Sequence, residues 1–281
     1  MVAVFYTEKM VADAQSFSPS ASKPRSVVAS WRERFRGLEY IEPKPATPQQ
    51  LGLAHDPGYV RGVLSGSIEN GFGNRLPAVA EALPYTCGAM MAAAECALSR
   101  GTVAVAPVSG FHHACYAQGG GYCTFNGLVV AAQVLRWKRQ DCRVGILDFD
   151  EHYGNGTTDI IRHRHLDWIR HYSADADWDA VDQAEAFLEA IPRIVRPFAD
   201  CDVLLYQAGA DPHVDDPLGG WLTTEQLRTR DRLVFGECKA LRLPVAWNLA
   251  GGYQNPLRKV LDIHDNTMRE CLAVFGPDAT D

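Results

Sequence analysis

Four short stretches of this sequence carry residue types able to do chemistry. Asp148-Phe149-Asp150-Glu151-His152 sets two carboxylates and an imidazole at alternate positions, so on an extended strand all three project to one side. Such a donor set suits a borderline cation like zinc, whose catalytic sites use three protein ligands and leave a position open. Asp150 and His152 are two candidate ligands, and Asp211, at the end of another apolar run, is the best third donor. His112-His113 follow an apolar run and precede a glycine-rich loop, where imidazoles that ionise near neutrality can move protons. Gly251-Gly252-Tyr253 joins a tight turn to a hydroxyl able to face an oxyanion. Each pattern also has an ordinary structural explanation. Acidic residues at strand ends cap helices, paired histidines bond to backbone, and Gly-Gly-Tyr is a common turn.

The elements around these stretches decide whether they meet. Apolar runs predict strands over Val2–Tyr6, Thr102–Val108, Val144–Phe149, Trp168–Tyr172, Asp202–Gln207 and Val245–Leu249. Helical periodicity predicts helices over Pro57–Ser65, Thr86–Ser99, Gly127–Lys138, Asp182–Val195, Thr223–Leu241 and Leu257–Val274. The alternation implies an α/β fold, a largely parallel sheet with helices on both faces, in one domain over residues 1–281. Four of the strands run straight into the four reactive stretches. In open parallel sheets ligands bind beyond the carboxyl ends of the strands, so all four should gather on one rim.

Composition narrows the partners. The net charge of −7 argues against a broad grip on nucleic acid, which needs clustered Lys and Arg. No apolar run has membrane-spanning length and no export signal opens the chain, so a cytoplasmic protein away from the membrane is expected. The eight cysteines form no C-x-x-C pair, which points away from a structural zinc cluster.

Taken in order, the motifs resemble the histone-deacetylase and acetylpolyamine-amidohydrolase family from about Ala46 to Gln254. They run from Ala46-Thr47-Pro48 and Ala54-His55-Asp56-Pro57-Gly58-Tyr59-Val60 through Gly110-Phe111-His112-His113-Ala114 and Gly121-Tyr122-Cys123-Thr124-Phe125-Asn126. Asp148 to Thr157, Ala208 to Asp211 with Asp216-Pro217-Leu218-Gly219, and Gly251-Gly252-Tyr253 complete the series. The resemblance implies an arginase/deacetylase-like fold and hydrolysis of an N-acyl, most often N-acetyl, amide. It implies Zn²⁺, or Fe²⁺, on Asp150, His152 and Asp211, and a structural K⁺ near Asp148. It further implies His113 as general base and acid, His112 as its electrostatic partner, and Asp148 and Asn155 as the groups behind the two histidines. Tyr253 would stabilise the oxyanion, while Tyr122 and Leu218 would line the substrate tunnel and its rim.

There are departures. Tyr153 stands where the family usually has a second histidine, and Glu151 replaces an apolar residue. The segment between Tyr172 and Ala180 is short, which implies a more open mouth, and no residue among Asn74, Arg75 and Glu81 stands out as the rim aspartate of protein deacetylases. The expected substrate is a small acylated amine, a polyamine or acetyllysine. Two other classes stay in view: a manganese ureohydrolase, which would carry D-x-H-x-D and more carboxylate ligands, and a non-catalytic binding protein of the same fold. His55, His163, His165, His171, His213 and His264 are expected to be surface or structural residues.

Overall fold

A computed structural model describes residues 1–276; the last five residues of the expected 1–281 domain lie outside the described residues. Seven strands form one sheet: β1 Val2–Phe5, β2 Leu38–Ile41, β3 Val103–Ala106, β4 Val144–Asp148, β5 Ile169–Ser173, β6 Val203–Gln207 and β7 Val245–Asn248. Their order is β2-β1-β3-β7-β6-β4-β5, and every pairing is parallel.

The central strands β3, β6 and β7 are apolar up to their last residue because both faces are covered, and β6 and β7 end on the buried polar Gln207 and Asn248. Val103, Val105, Leu204, Tyr206, Val245 and Trp247 face one core, while Ala104, Ala106, Val203, Leu205 and Ala246 face the other. A strand buried on both sides reads as a continuous apolar run, which is why β3, β6 and β7 were visible in the sequence.

Nine α-helices are found among the described residues: α1 Lys23–Arg34, α2 Pro48–Leu51, α3 Pro57–Leu64, α4 Pro77–Arg100, α5 Gly127–Lys138, α6 Asn155–His163, α7 Ala184–Val195, α8 Thr224–Ala240 and α9 Arg258–Phe275. Buried residues of α3, α4, α5 and α6 build one core. Trp31 of α1 and the inner faces of α7, α8 and α9 build the other.

Four helices and one strand depart from the sequence expectation. The helix expected from Thr86 begins at Pro77, because Pro84 sits inside it instead of ending it. The Pro84 carbonyl accepts the Ala46 N–H at 2.8 Å and ties the incoming chain to the helix. Helices α1, α2 and α6 were not expected. In α1 charged residues surround a narrow stripe of Val27, Val28 and Trp31. The edge strand β2 is half-buried throughout and only four residues long, too short for a period-two pattern.

Phe235 of α8 is fully buried, with ring centroids 5.9 Å from Tyr206 and 6.0 Å from Trp247. Phe235→Ala is expected to cost about 3–5 kcal/mol of stability, measured as a lowered urea midpoint with unchanged cooperativity.

Candidate active site

The parallel strands deliver the reactive residues to one rim. Asp148 ends β4, with Asp150 and His152 just beyond it. Asp211 lies four residues past the end of β6, His112-His113 follow β3, and Tyr253 follows β7.

Asp150, His152 and Asp211 converge, each offering one ligand atom within 4.8 Å of the others. His152 Nε2 lies 3.2 Å from the Leu218 carbonyl oxygen, which can only accept, so Nε2 carries the proton. The other ring nitrogen, Nδ1, then turns its lone pair toward Asp150 Oδ1 at 3.4 Å and Asp211 Oδ2 at 3.3 Å. Asp211 Oδ2 is buried and has no hydrogen-bond partner. Three acceptors aimed at one point require a positive charge there. A second proton on the His152 ring is one such charge, and hydrogen bonding to the two carboxylates pushes its pKa up to about 11. Burial, reinforced by Asp150, pushes Asp211 up to about 7. A divalent cation is the other charge that fits. The donor set, the orphaned oxygen and the tautomer set by a backbone carbonyl all match what a zinc ion requires.

Backbone groups hold these ligands. Asp150 Oδ2 accepts the Gly251 N–H at 2.8 Å, and Asp150 Oδ1 accepts the His152 N–H at 3.1 Å. Only glycine fits at 251, since a Cβ there would collide with the Asp211 carboxylate. Below the turn, the buried Lys23 ammonium donates to the Ala250 and Gly251 carbonyls at 2.8 and 2.9 Å.

The paired histidines have unlike surroundings. His112 is buried, with Nδ1 2.8 Å from Asp148 Oδ2 and Nε2 3.4 Å from Asp150 Oδ1. Burial opposes its protonation, but the Asp148 and Asp150 carboxylates outweigh it and push the pKa up to about 9. His113 Nδ1 donates to the Asn155 amide oxygen at 2.6 Å, which leaves Nε2 free to accept a proton. Burial, then the neighbouring His112, pull the His113 pKa down. The ring centroids are 4.0 Å apart, so one carboxylate partner and one amide partner split two adjacent imidazoles into a cation and a neutral base. Gly121, at φ +52°, leaves room for the His113 ring that a side chain would fill.

Tyr253 donates its backbone N–H to Asp216 Oδ2 at 2.8 Å. Burial and the Asp211 and Asp150 carboxylates raise its phenol far above the usual tyrosine range, so the hydroxyl stays protonated and able to donate. Tyr122 packs between Phe72 and Tyr253, at 5.8 and 5.7 Å, in the left-handed region at φ +64°. The Leu218 side chain is exposed at the surface, and its carbonyl is what reaches the site.

The short segment after β5 turns its aromatic inward. Trp178 packs on Phe187 and donates to the Tyr172 hydroxyl at 3.0 Å. Asn74 donates to the Ala14 carbonyl, tying its loop to the N-terminal segment, Arg75 faces Glu69 within the loop, and Glu81 is exposed on α4.

Sequence reasoning missed several contributors. These are Gln207, which donates to Asp148 Oδ1 at 3.1 Å, Lys23, Asp216 and the Leu218 carbonyl. Gln207, the polar last residue of an otherwise apolar strand, was the one visible signal.

A family model described as the histone deacetylase domain matches residues 20–166 and 169–268. An uncharacterized protein of Picosynechococcus is 28% identical over 262 residues, covering 82% of each chain. Acetylpolyamine amidohydrolase 2 of Pseudomonas aeruginosa is 31% identical over 175 residues, which are 50% of this chain and 48% of that one. Among solved structures, acetylpolyamine aminohydrolase from Burkholderia pseudomallei superposes with a TM-score of 0.74 at 19% identity, covering 98% of this chain and 99% of the other. The HDA15 HD domain superposes at 0.79 and 22% identity, covering 98% and 92%.

His55 is buried beneath this site. Its Nδ1 donates to the Cys115 carbonyl at 2.9 Å and its Nε2 accepts the Asn126 N–H at 2.8 Å, so the neutral ring is required. Burial pulls its pKa down to about 4 from the usual 6.5. A depressed histidine adds stability above pH 6.5 that is lost as pH falls toward 4, at up to roughly 1.4 kcal/mol per pH unit. The urea midpoint of wild type should fall across that window, and His55→Gln should flatten the fall while lowering stability at neutral pH.

Proposed function

This chain belongs to the histone deacetylase family and is a deacetylase-type amidohydrolase, and from that premise we propose a zinc-dependent hydrolysis of an N-acetyl amide carried by a small amine or by acetyllysine. The observation that carries the reading is the three-way convergence of His152 Nδ1, Asp150 and Asp211 Oδ2 on one point. Zinc held by these residues would supply Lewis acidity to the amide carbonyl and lower the pKa of the attacking water. Iron(II) would take the same donors.

The protein's own groups do the rest. His113, neutral and with Nε2 free, takes the proton from water and returns it to the leaving nitrogen. His112, held cationic by Asp148, keeps its neighbour's proton affinity low enough for that return. Tyr253 donates its hydroxyl to the tetrahedral oxyanion. Burial around Asp150, Asp211 and His112 keeps bulk water out and strengthens each of these interactions.

Substrate class follows from the mouth. The segment after β5 is short, and its tryptophan packs inward, away from any tunnel wall. Asn74 and Arg75 are already engaged, with the Ala14 carbonyl and with Glu69, so neither is free to grip a peptide backbone, and Glu81 is the exposed candidate of the three. Both points favour a small acylated amine over a protein tail. Two relatives are named acetylpolyamine amidohydrolases, which agrees with that class. Among the described residues one three-ligand group converges here, which favours a single ion over the paired manganese of a ureohydrolase.

Elemental analysis of purified protein should return about one zinc per chain, as a single three-ligand site requires. A fluorogenic acetyllysine amide should be hydrolysed by wild type and not by Asp211→Ala. Tyr253→Phe should lower kcat by roughly 10²–10³-fold with little change in KM, the cost of one lost oxyanion donor. Two manganese ions per chain, or hydrolysis undiminished in Asp211→Ala, would remove this reading.

A further inference from the structure

We propose that Arg230 is a positioning residue that sets the separation of Asp150 and Asp211 and thereby the site's affinity for its metal ion. The inference rests on the reading of those two residues and His152 as metal ligands.

Arg230 lies on the inner face of α8 and is fully buried. Its Nη1 donates to two backbone carbonyls, Phe149 O at 3.0 Å and Gly209 O at 2.8 Å. Phe149 immediately precedes Asp150, and Gly209 stands two residues before Asp211. One nitrogen therefore joins the two loops that carry the carboxylates, just past the point where strand pairing ends. The last ladder-type bond between these loops is Phe149 N–H to Gln207 O at 3.1 Å. Beyond it the guanidinium is what bridges their main chains from below.

The guanidinium is itself fixed from behind. Arg230 Nε donates to Asp231 Oδ1 at 2.9 Å, and that carboxylate also accepts the Tyr206 hydroxyl and the Thr267 hydroxyl, each at 2.6 Å. The chain of contacts thus runs from α9 through α8 and β6 to the ligand loops. A buried ion pair of this kind carries a large desolvation cost, and a well-packed apolar pair usually serves stability as well or better. What the apolar pair lacks is a donor able to hold two carbonyls at a fixed distance. Metal-ligand geometry depends on such outer contacts, whose loss typically weakens metal affinity about 10–100-fold.

The test uses full-length protein with zinc and cobalt(II) as probes. Arg230→Lys keeps the charge but replaces the planar fork by a single-point donor. Zinc affinity, measured by competition with a chelating dye, is expected to fall roughly 10–100-fold in this variant. The cobalt(II) visible absorption should shift, and kcat should drop while KM holds. Phe235→Ala, on the same helix and also destabilising, should leave zinc affinity and the cobalt spectrum as in wild type. If Arg230→Lys does not fold, Asp231→Ala, which removes the acceptor that anchors the guanidinium, carries the same expectation. Wild-type zinc affinity and cobalt spectrum in the folded variant would overturn the positioning role and leave the metal reading intact. Failure of wild type itself to bind either ion would remove the metal reading, and this inference with it.

Discussion

Burying three carboxylates side by side is the constraint around which this molecule is organised. Asp148, Asp150 and Asp211 stand at the ends of adjacent strands and are almost wholly removed from solvent. Ionised groups in such a place are tolerated only when opposite charge and hydrogen bonds surround them. The protein brings that charge from several elements: His112 after β3, Lys23 from α1 and Arg230 from α8, all buried. Backbone N–H groups of Gly251 and His152 add neutral donors. What stays uncompensated is the point faced by His152 Nδ1 and Asp211 Oδ2. The candidate metal site lies where compensation has been withheld.

The same economy of partners separates the two histidines. Two imidazoles with ring centroids 4.0 Å apart cannot both be cationic at low cost. A carboxylate behind His112 and an amide behind His113 assign the proton to the buried ring and leave the outer one neutral. Asn155 opens α6, so the residue behind His113 is fixed by a helix start that closely follows the segment carrying Asp150 and His152. Tyr153, in the position where a histidine was expected, turns away from the site and reaches Thr158 at 3.0 Å. The substitution changes the outer surface of the loop and leaves the dyad's partners in place.

Much of this was legible in the residues themselves. Strands buried on both faces announce themselves as unbroken apolar runs, and a reactive residue just past such a run is already assigned to the rim of a parallel sheet. That logic located Asp148, Asp150, His152, Asp211, His112, His113 and Tyr253 from spacing and chain order. It failed where the signal was tertiary. Helix α4 runs through Pro84, whose carbonyl is taken by the Ala46 N–H from a distant part of the chain. Lys23 and Arg230 carried no signal in the sequence, since nothing local says that a helix will turn its cation inward.

The division has a physical basis. Residue type and spacing along the chain determined which groups could ligate, accept protons or donate to an oxyanion, because those capacities are properties of the side chains and of strand periodicity. Tertiary structure alone decided which histidine is charged, which His152 nitrogen is free and which buried cations hold the loops. Each of these depends on a partner brought in from a distant element: Leu218 for His152, Asp148 for His112, Ala250 and Gly251 for Lys23. Protonation and position are set by the field and the hydrogen bonds of the folded interior, and that interior exists only once the sheet has closed over both of its faces.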